Sequence, residues 1–392
     1  MSEDNRMSLD PSLGAVRLAP ILPGWDASPS ARSRLVIGLL SGDGIGPEVV
    51  GAARCVLAEI ERHESHSFEI REAPPGESGL SPLMCEFFSE IFAAGGAVLC
   101  GAKGGRFVYE LRAHFDLYCK LVPIRPQAAL RGIGVLRPEA TENVDVLIIR
   151  ENTAGLYLGE YGFDVRDGRR RAFHGFEYSE VQVARIIQVA IGAAQRRRRH
   201  LCVVTKPGGV PSISALWAEQ AGLGANGSGV ELRFLEVDTA AYQLLADAKA
   251  FDVVVAPNMF GDVLADGAAL LLGSRGMSCS ANLGDGGRGV FQTGHGAAYD
   301  LAGSDRANPL GQIHALGLLL RESFGLEQLA LQLQAAIEDT LAAGWRTPDI
   351  AAPGSRVVGT QQLAEHVAVA LGARLAPARQ RLAAVRSLPV TR

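Results

Sequence analysis

Two carboxylates, Asp262 and Asp266, stand four residues apart just beyond an apolar run that ends at Ala256. On a helix this spacing places both on one face, where like charges repel. A divalent cation relieves that repulsion, and carboxylate oxygens with positions left for water and substrate suit Mg²⁺ or Mn²⁺. The alternative is a solvated acidic face. The pair is therefore a candidate metal site.

Two arginines and a phenol stand close to the ends of apolar runs. Arg150 ends the predicted strand 144–150, with Tyr157 shortly after it, and Arg112 lies just before the predicted strand 117–122. Guanidinium groups at strand ends above a parallel sheet suit bidentate recognition of carboxylates. The alternative for each arginine is a surface ion pair.

Two glycine-containing segments invite a nucleotide interpretation. His295, followed by Gly296, precedes an acid at Asp300 and an amide at Asn308. These residues could line a nucleotide pocket or form an ordinary loop. The turn at 42–46 has the spacing G-x-G-x-G, which is not the G-x-G-x-x-G of a dinucleotide-binding fold. A tight strand-to-helix turn that needs glycine dihedrals explains it equally well.

The elements that must position these residues follow from apolar spacing. Strands are predicted at 35–40, 68–70, 97–100, 117–122, 144–150, 201–205, 230–237 and 251–256. Helices are predicted at 48–60, 82–94, 178–197, 212–221, 239–247 and 360–373, with helical patterning over 313–344. Strands that alternate with helices indicate an α/β fold with a largely parallel sheet.

Composition excludes several classes of protein. The 392 residues allow two or three domains, and a net charge of −4 gives no reason to expect nucleic acid or a membrane surface as a partner. Six scattered cysteines without a C-x-x-C pair, and no recognisable secretory signal, favour a reducing, cytoplasmic setting. Residues 1–33, rich in Pro, Ser and Gly, are predicted to form a loose extension. Only four of the 38 basic residues are lysines, namely Lys103, Lys120, Lys206 and Lys249.

Taken together, these segments resemble the isocitrate and 3-isopropylmalate dehydrogenase family of β-decarboxylating hydroxyacid dehydrogenases, from about residue 35 to 345. The matching segments are 42–48, 111–112, 116–118, 150–153, 155–157, 205–206, 237–238, 258–266, 295–300 and 308–309. Their order and spacing carry the resemblance.

The resemblance implies an isopropylmalate dehydrogenase-like fold, with two α/β domains around a cleft and no Rossmann domain. Residues 34–117 and 273–392 would form a large cofactor-binding domain. Residues 118–272 would form a small domain with a dimerisation arm. The family works as homodimers that share their active sites.

The resemblance also implies the roles of individual residues. Metal would be held by Asp262 and Asp266 of one subunit and Asp238 of the other. Substrate carboxylates would bind Arg112 and Arg150, and the acid/base pair would be Tyr157 and Lys206, the lysine coming from the partner and desolvated between domains. The NAD-binding site would be lined by His295, Gly296, Asp300 and Asn308. An acid at position 300 favours NAD over NADP.

Several positions depart from the family pattern. Val122 stands where the family has a second carboxylate-binding arginine, and Gly208 stands where it has an asparagine. Lys120 shares a strand face with Val122, so it is a candidate replacement, with Arg125 a less favoured one. Arg106 falls in the segment that reads the 3-substituent of the substrate and indicates an additional anion.

The resulting hypothesis is NAD-dependent oxidative decarboxylation of a 3-substituted malate with an anionic side arm, such as a carboxylate or phosphonate. The alternative is a catalytically silent regulatory or binding subunit of the same fold. Val122 and Gly208 motivate that alternative. Retention of Lys206, Tyr157 and the three aspartates argues against it.

Overall fold

The structure is a computed structural model that describes residues 17–25, 34–64, 66–74 and 79–376. The strands in these residues are β1 (Arg34–Leu40), β2 (Ser67–Glu72), β3 (Ala97–Cys100), β4 (Cys119–Ile124), β5 (Val146–Glu151), β6 (Glu160–Arg166), β7 (Arg169–Gly175), β8 (His200–Thr205), β9 (Glu231–Glu236), β10 (Val253–Ala256), β11 (Cys279–Leu283), β12 (Gly289–Thr293), β13 (Trp345–Arg346) and β14 (Arg356–Val357). The α-helices are α1 (Gly46–His63), α2 (Pro82–Ala93), α3 (Phe107–His114), α4 (Glu180–Gln195), α5 (Pro211–Ala225), α6 (Val237–Ala246), α7 (Asn258–Ala268), α8 (Leu310–Glu322), α9 (Glu327–Ala342) and α10 (Thr360–Leu375).

One ten-stranded sheet runs through the molecule in the order β2-β1-β3-β12-β11-β4-β5-β10-β8-β9. Its first five strands come from residues 34–100 and 279–293, and its other five come from residues 119–256. The strands pair in parallel except at the junction of the two halves, where β12–β11, β11–β4 and β4–β5 are antiparallel. The prediction of an α/β fold with a largely parallel sheet is therefore confirmed.

Local sequence explains where several helices begin. The Ser179 hydroxyl accepts a hydrogen bond from the Gln182 amide, and the Gln182 side chain accepts one from the Ser179 amide, which is a capping box at the start of α4. Ser81 caps α2 by accepting a hydrogen bond from the Met84 amide. Pro47 occupies the first turn of α1, where its missing N–H costs nothing. None of the helices in the described ranges is both long and apolar enough to cross a membrane.

The hairpin β6–β7 stands apart from the main sheet as a two-stranded ribbon. Most of its side chains are exposed, including the large apolar ones Tyr161, Phe163, Val165 and Phe173. These strands were not predicted from the sequence. Tyr161, Phe163 and Val165 alternate along β6, but neither strand of the ribbon has a buried residue.

The predicted loose extension is wrong for residues 17–25. Leu18, Ala19 and Leu22 are buried in the core, and Trp25 donates a hydrogen bond through Nε1 to the carbonyl of Gly284. The fully buried Glu322 carboxylate at the end of α8 explains the docking, since it accepts the amides of residues 18 and 19, each at 2.7 Å. Residues 1–16 and 26–33 of the predicted extension lie outside the described residues.

Candidate active site

A cleft opens over the central strands, and four cationic side chains from four different elements line it. Lys103 follows β3, Arg112 lies on α3, Lys120 lies in β4 and Arg150 lies in β5. β4 and β5 are antiparallel neighbours that place Lys120 directly opposite Arg150. Sheet pairing therefore brings together residues that are distant in the sequence.

Arg150 is almost completely buried, and residues of α7 bind its guanidinium group. Its Nε and Nη2 donate to Oδ1 of Asn258 at 3.0 and 2.7 Å, and Nη1 pairs with the Asp262 carboxylate. A Cβ at Gly261 would lie 2.8 Å from the Arg150 Cβ, so only glycine lets α7 approach this closely. The helix and the strand thus orient the guanidinium by direct contact.

Arg112 and Lys120 are buried cations that form no ion pair with a carboxylate of the described residues, although Asp262 is near enough to affect the pKa values of both. Nε of Arg112 has no hydrogen-bond partner within the described part of the chain. Burial and then the neighbouring Arg150 lower the pKa of Arg112 to about 9. Burial and then the two arginines lower the pKa of Lys120 well below its ordinary value. Such a cluster is destabilising in the free protein and favourable for an anionic ligand.

The structure distinguishes the two candidate replacements for the arginine missing at Val122. Lys120 and Val122 both line the cleft, as expected for residues two apart on one strand. Arg125 instead lines a cavity on the other side of the sheet. Lys120 is therefore the residue placed to restore the missing positive charge.

Asp262 and Asp266 lie one turn apart on α7, and both line the cleft. Asp262 pairs with Arg150, and Asp266 accepts a hydrogen bond from Arg275 at 2.7 Å. The described residues contain no group of three metal-ligating side chains. Two carboxylates nevertheless fit Mg²⁺, which is usually held by one or two protein carboxylates together with water and substrate oxygens.

Tyr157 contacts the same group of residues. Its hydroxyl hydrogen-bonds to Asp262, and its ring lies 5.6 Å from the Arg150 guanidinium and 5.4 Å from the Tyr109 ring. Burial and then the charge of Asp262 raise the pKa of Tyr157 to about 12. The phenol therefore keeps its proton at neutral pH and is suited to be a proton donor.

Lys206 and Asp238 form a separate cluster at the ends of β8 and β9. Lys206 Nζ donates to Glu236 at 2.6 Å and to Asp238 at 2.8 Å. The lysine is partly exposed, and these hydrogen bonds raise its pKa, in contrast to the expected desolvated lysine. The described residues that line the cleft include neither Lys206 nor Asp238.

Arg106 does not lie where the sequence predicts it. The side chain is exposed, and its guanidinium lies 5.3 Å from the Tyr161 ring of the β6–β7 hairpin. It is absent from the described residues that line the cleft. The expected contact with a substrate arm is therefore not supported, because Arg106 stands at the N-cap position of α3 outside the cleft lining, whereas Arg112 lines the cleft.

The predicted cofactor residues divide into two groups. His295 and Gly296 line the cleft, and burial lowers the pKa of His295. Asp300 is exposed on the following loop. The buried Asn308 side chain is committed internally, since Oδ1 accepts the Leu310 amide at 2.9 Å and Nδ2 donates to a neighbouring carboxylate at 3.0 Å.

The glycine-rich turn at 42–46 packs closely against a neighbouring loop. Gly42 and Gly44 have φ of +80° and +55°. A Cβ on Gly44 would lie 2.0 Å from the carbonyl oxygen of Ala297, which accepts the Ile45 amide at 2.8 Å. The turn therefore lies directly against the loop that carries His295.

Sequence reasoning missed several residues that line the cleft. Lys103 is the most informative of them, since its side chain is only 8% exposed and Nζ lies 2.8 Å from Asp43. Its signal was the scarcity of lysine in the chain. Polar groups also come from Ser280 and Gln292 on the hairpin β11–β12, which were not predicted as strand residues.

Comparisons with known proteins show the family and the fold of this chain. The family description for isocitrate/isopropylmalate dehydrogenase matches residues 36–367. The 3-isopropylmalate dehydrogenase of Gloeobacter violaceus is 39% identical over 357 residues, covering 86% of this chain and 98% of that protein. Chloroplastic 3-isopropylmalate dehydrogenase 1 of Arabidopsis thaliana is 37% identical over 360 residues, covering 87% of this chain and 88% of that protein. The crystal structure of isocitrate dehydrogenase from Methylococcus capsulatus has a TM-score of 0.76 at 28% identity, covering 86% of this chain and 99% of that chain. These matches span the elements that form the cleft.

Proposed function

Because the chain belongs to the isocitrate/isopropylmalate dehydrogenase family, we propose that it catalyses NAD-dependent, metal-assisted oxidative decarboxylation of a 3-substituted malate whose side arm is anionic. The fold expected for that family is confirmed by the comparisons. The identity of the side arm, the cofactor and the metal are the parts that we propose.

The charge of the cleft carries the proposal. Four cations, Lys103, Arg112, Lys120 and Arg150, face two carboxylates in one lining. A 3-substituted malate brings two carboxylates of its own, and a bound divalent cation would offset Asp262 and Asp266. Because Asp43 already pairs with Lys103, one positive charge then remains for a third anionic group, and a charge-assisted contact with it contributes about 1.5–3 kcal/mol.

The resident groups would be held by residues already described. Asp262 and Asp266 would bind Mg²⁺ or Mn²⁺, which when bound lowers the pKa of a substrate hydroxyl and stabilises developing negative charge. NAD would lie along His295 and Gly296 and supply the hydride acceptor. The exposed acid at Asp300 favours a ribose 2′-hydroxyl and would repel a 2′-phosphate.

The remaining steps belong to side chains of this protein. Arg112, Lys120 and Arg150 orient the substrate carboxylates by ion pairing. Tyr157, which holds its proton, is positioned to protonate the carbon that loses CO₂. Lys206 is the candidate base for the hydroxyl proton.

A homodimer would complete the site. Lys206 and Asp238 lie outside the cleft of their own chain, so a second copy would have to supply them. Two exposed apolar surfaces support such a contact. One is the β6–β7 hairpin, with Phe163 65% exposed, and the other is the surface of α6 and α7, with Tyr242 76% exposed.

The test is a substrate panel with NAD⁺ and Mg²⁺, in which 3-substituted malates carry apolar, carboxylate or phosphonate arms. NADH formation is followed by absorbance for the wild type and for Lys103→Met. We expect the anionic arms to be preferred, and we expect Lys103→Met to reduce that preference about tenfold or more. Asp43, its partner, supplies the matched control through Asp43→Asn.

A second candidate is the substrate named in the sequence relatives. The proteins from Gloeobacter violaceus and Arabidopsis thaliana are both called 3-isopropylmalate dehydrogenases. Exclusive turnover of 3-isopropylmalate would therefore overturn the proposal that the substrate has an anionic side arm. Background rates on every substrate, unchanged by Lys206→Ala, would favour the silent subunit.

A further inference from the structure

The buried phenol of Tyr178 contacts the start of the helix that carries both candidate metal ligands. Its side chain is 7% exposed, and its hydroxyl accepts the backbone amide of Asn258 at 2.9 Å. Asn258 is the first residue of α7, on which Asp262 and Asp266 follow. The described residues that line the cleft do not include Tyr178. The phenol therefore reaches the site through α7.

The Asn258 amide depends on this hydroxyl for an acceptor. Amides in the first turn of a helix have no carbonyl partner within the helix. The preceding residue is Pro257, whose side chain has no polar atom to cap α7. The Asn258 side chain is itself committed, since Oδ1 accepts from Arg150 and Nδ2 donates to the carbonyl of Ala154 at 2.7 Å. The Tyr178 hydroxyl thus takes the place of an N-cap.

The same hydroxyl also contacts the end of β5 and the loop that follows it. It donates to the fully buried carboxylate of Glu151, the last residue of β5. That carboxylate also accepts the amides of Thr153 and Ala154 at 2.8 and 3.0 Å. A Cβ on Gly155 would lie 2.2 Å from the hydroxyl oxygen, and φ at this residue is +75°, so glycine is required here. The hydroxyl therefore lies where β5, α7 and the loop that leads to Tyr157 meet.

Packing fixes the ring that carries this hydroxyl. The Tyr178 ring meets the fully buried Trp217 ring of α5 edge-on, with centroids 5.6 Å apart and an angle of 88° between the planes. A phenylalanine at position 178 would keep this aromatic contact. The hydroxyl can therefore be removed while the ring stays in place.

We propose that Tyr178 is a positioning residue, whose hydroxyl fixes the start of α7 against β5 and thereby holds Asp262 and Asp266 in place for the metal. The inference rests on the proposed function, because it takes these two carboxylates as the metal ligands. Metal-binding side chains must be held to within about 0.5 Å of their productive positions. A helix that is released at its first residue would not hold them so closely.

The test measures Mn²⁺ binding to the full chain by electron paramagnetic resonance, in which the signal of the free ion falls on binding. We expect saturable binding to the wild type. Tyr178→Phe should bind Mn²⁺ about tenfold or more weakly, because loss of a group that orients metal ligands has an effect of this size. Asp262→Asn should abolish the binding, which assigns the bound ion to α7.

Tyr118→Phe is the matched control for the loss of a buried phenol hydroxyl. Tyr118 is 1% exposed, its hydroxyl donates to Asp285 at 2.9 Å, and it is absent from the described residues that line the cleft. Both variants should lower the melting temperature, since each loses a hydrogen bond. Only Tyr178→Phe should lose Mn²⁺ affinity, and Tyr118→Phe should stay within about twofold of the wild type. An equal loss of affinity in the two variants would overturn the positioning role.

Hydrogen exchange tests the contact with α7 in the absence of metal. Amides at the start of α7 should exchange faster in Tyr178→Phe than in the wild type, and at the wild-type rate in Tyr118→Phe. Unchanged exchange in Tyr178→Phe would overturn the inference.

The Mn²⁺ measurements also separate this inference from the proposed function. Binding by the wild type that Tyr178→Phe retains in full would overturn the positioning role alone. No saturable binding by the wild type would overturn the metal of the proposed function, and the positioning role with it.

Discussion

The two cationic regions of this chain differ in burial and in the direction in which the pKa values of their cations are shifted. In the cleft, Arg112, Lys120 and Arg150 are buried side by side, and the pKa values of Arg112 and Lys120 are lowered. At the ends of β8 and β9, Lys206 is partly exposed and is neutralised by Glu236 and Asp238, and its pKa is raised.

The single chain buries and fixes the cations of the cleft, whereas it leaves Lys206 partly exposed at its surface. Burial beside like charges costs free energy, so the cleft cluster is maintained at the expense of stability and is suited to an anion. An exposed ion pair contributes little to folding, so the Lys206 cluster can be rearranged at low cost when a second surface covers it.

The largest effect is expected for Lys206→Ala. Loss of the candidate base should lower kcat by about 10²–10⁴-fold. The melting temperature should stay within error of the wild type, because the ion pairs that are lost are exposed. NADH absorbance and thermal unfolding measure the two quantities, with the exposed Lys249→Ala as the control. A large loss of stability in Lys206→Ala would contradict the comparison.

Sharing of the site between two copies predicts complementation. Lys206→Ala and Asp262→Asn should each be inactive alone. Refolded together, they should recover up to about a quarter of the wild-type rate, because half of the dimers are mixed and each mixed dimer holds one intact site. Size-exclusion chromatography monitors assembly. A mixture that stays inactive while forming mixed dimers would place Lys206 and Asp262 in the same chain's site.

A smaller effect with opposite signs is expected for Lys120→Met. The KM for an anionic-arm substrate should rise about tenfold, because one buried charge partner is removed. The free energy of unfolding should increase by about 1 kcal/mol, since a buried cation beside two arginines disappears. Kinetics and urea unfolding measure both quantities. Lys120→Arg should keep the low KM. A drop in the free energy of unfolding for Lys120→Met would contradict the statement that the buried cations of the cleft destabilise the free protein.

The smallest effect is expected for Arg106→Ala. Its guanidinium packs on the exposed Tyr161 ring, and such a contact contributes about 0.5–1 kcal/mol. KM should change by no more than about threefold. Steady-state kinetics with anionic-arm and apolar-arm substrates measure this change. An increase beyond tenfold for the anionic arm alone would return Arg106 to the substrate site.

Much of the architecture was readable from local patterns. The strand 97–100 was predicted with its observed bounds, and the predicted helix 360–373 corresponds to α10 (Thr360–Leu375). Both depend on contiguous apolar spacing, which is a property of neighbouring residues. β11 and β12 were not predicted, although Cys279, Ala281 and Leu283 alternate with the polar Ser280 and Asn282, because each strand is only five residues long and its pattern is correspondingly weak.

In the candidate site, too, some features follow from the local sequence and others depend on tertiary packing. By itself, the sequence determined the one-turn spacing of Asp262 and Asp266, the glycine turn at 42–46, and the shared strand face of Lys120 and Val122. Each follows from the fixed period of a helix or strand, or from the dihedral freedom of glycine.

Only the tertiary structure decided which charges meet. Sheet order placed Lys120 opposite Arg150, the loop after β3 added Lys103, and packing turned Arg106 outward. Contacts between residues far apart in the chain depend on strand order and on burial, and neither is encoded in the spacing of neighbours. The same chain packing left Lys206 paired outside the cleft of its own subunit, and this placement made a second copy part of the proposed function.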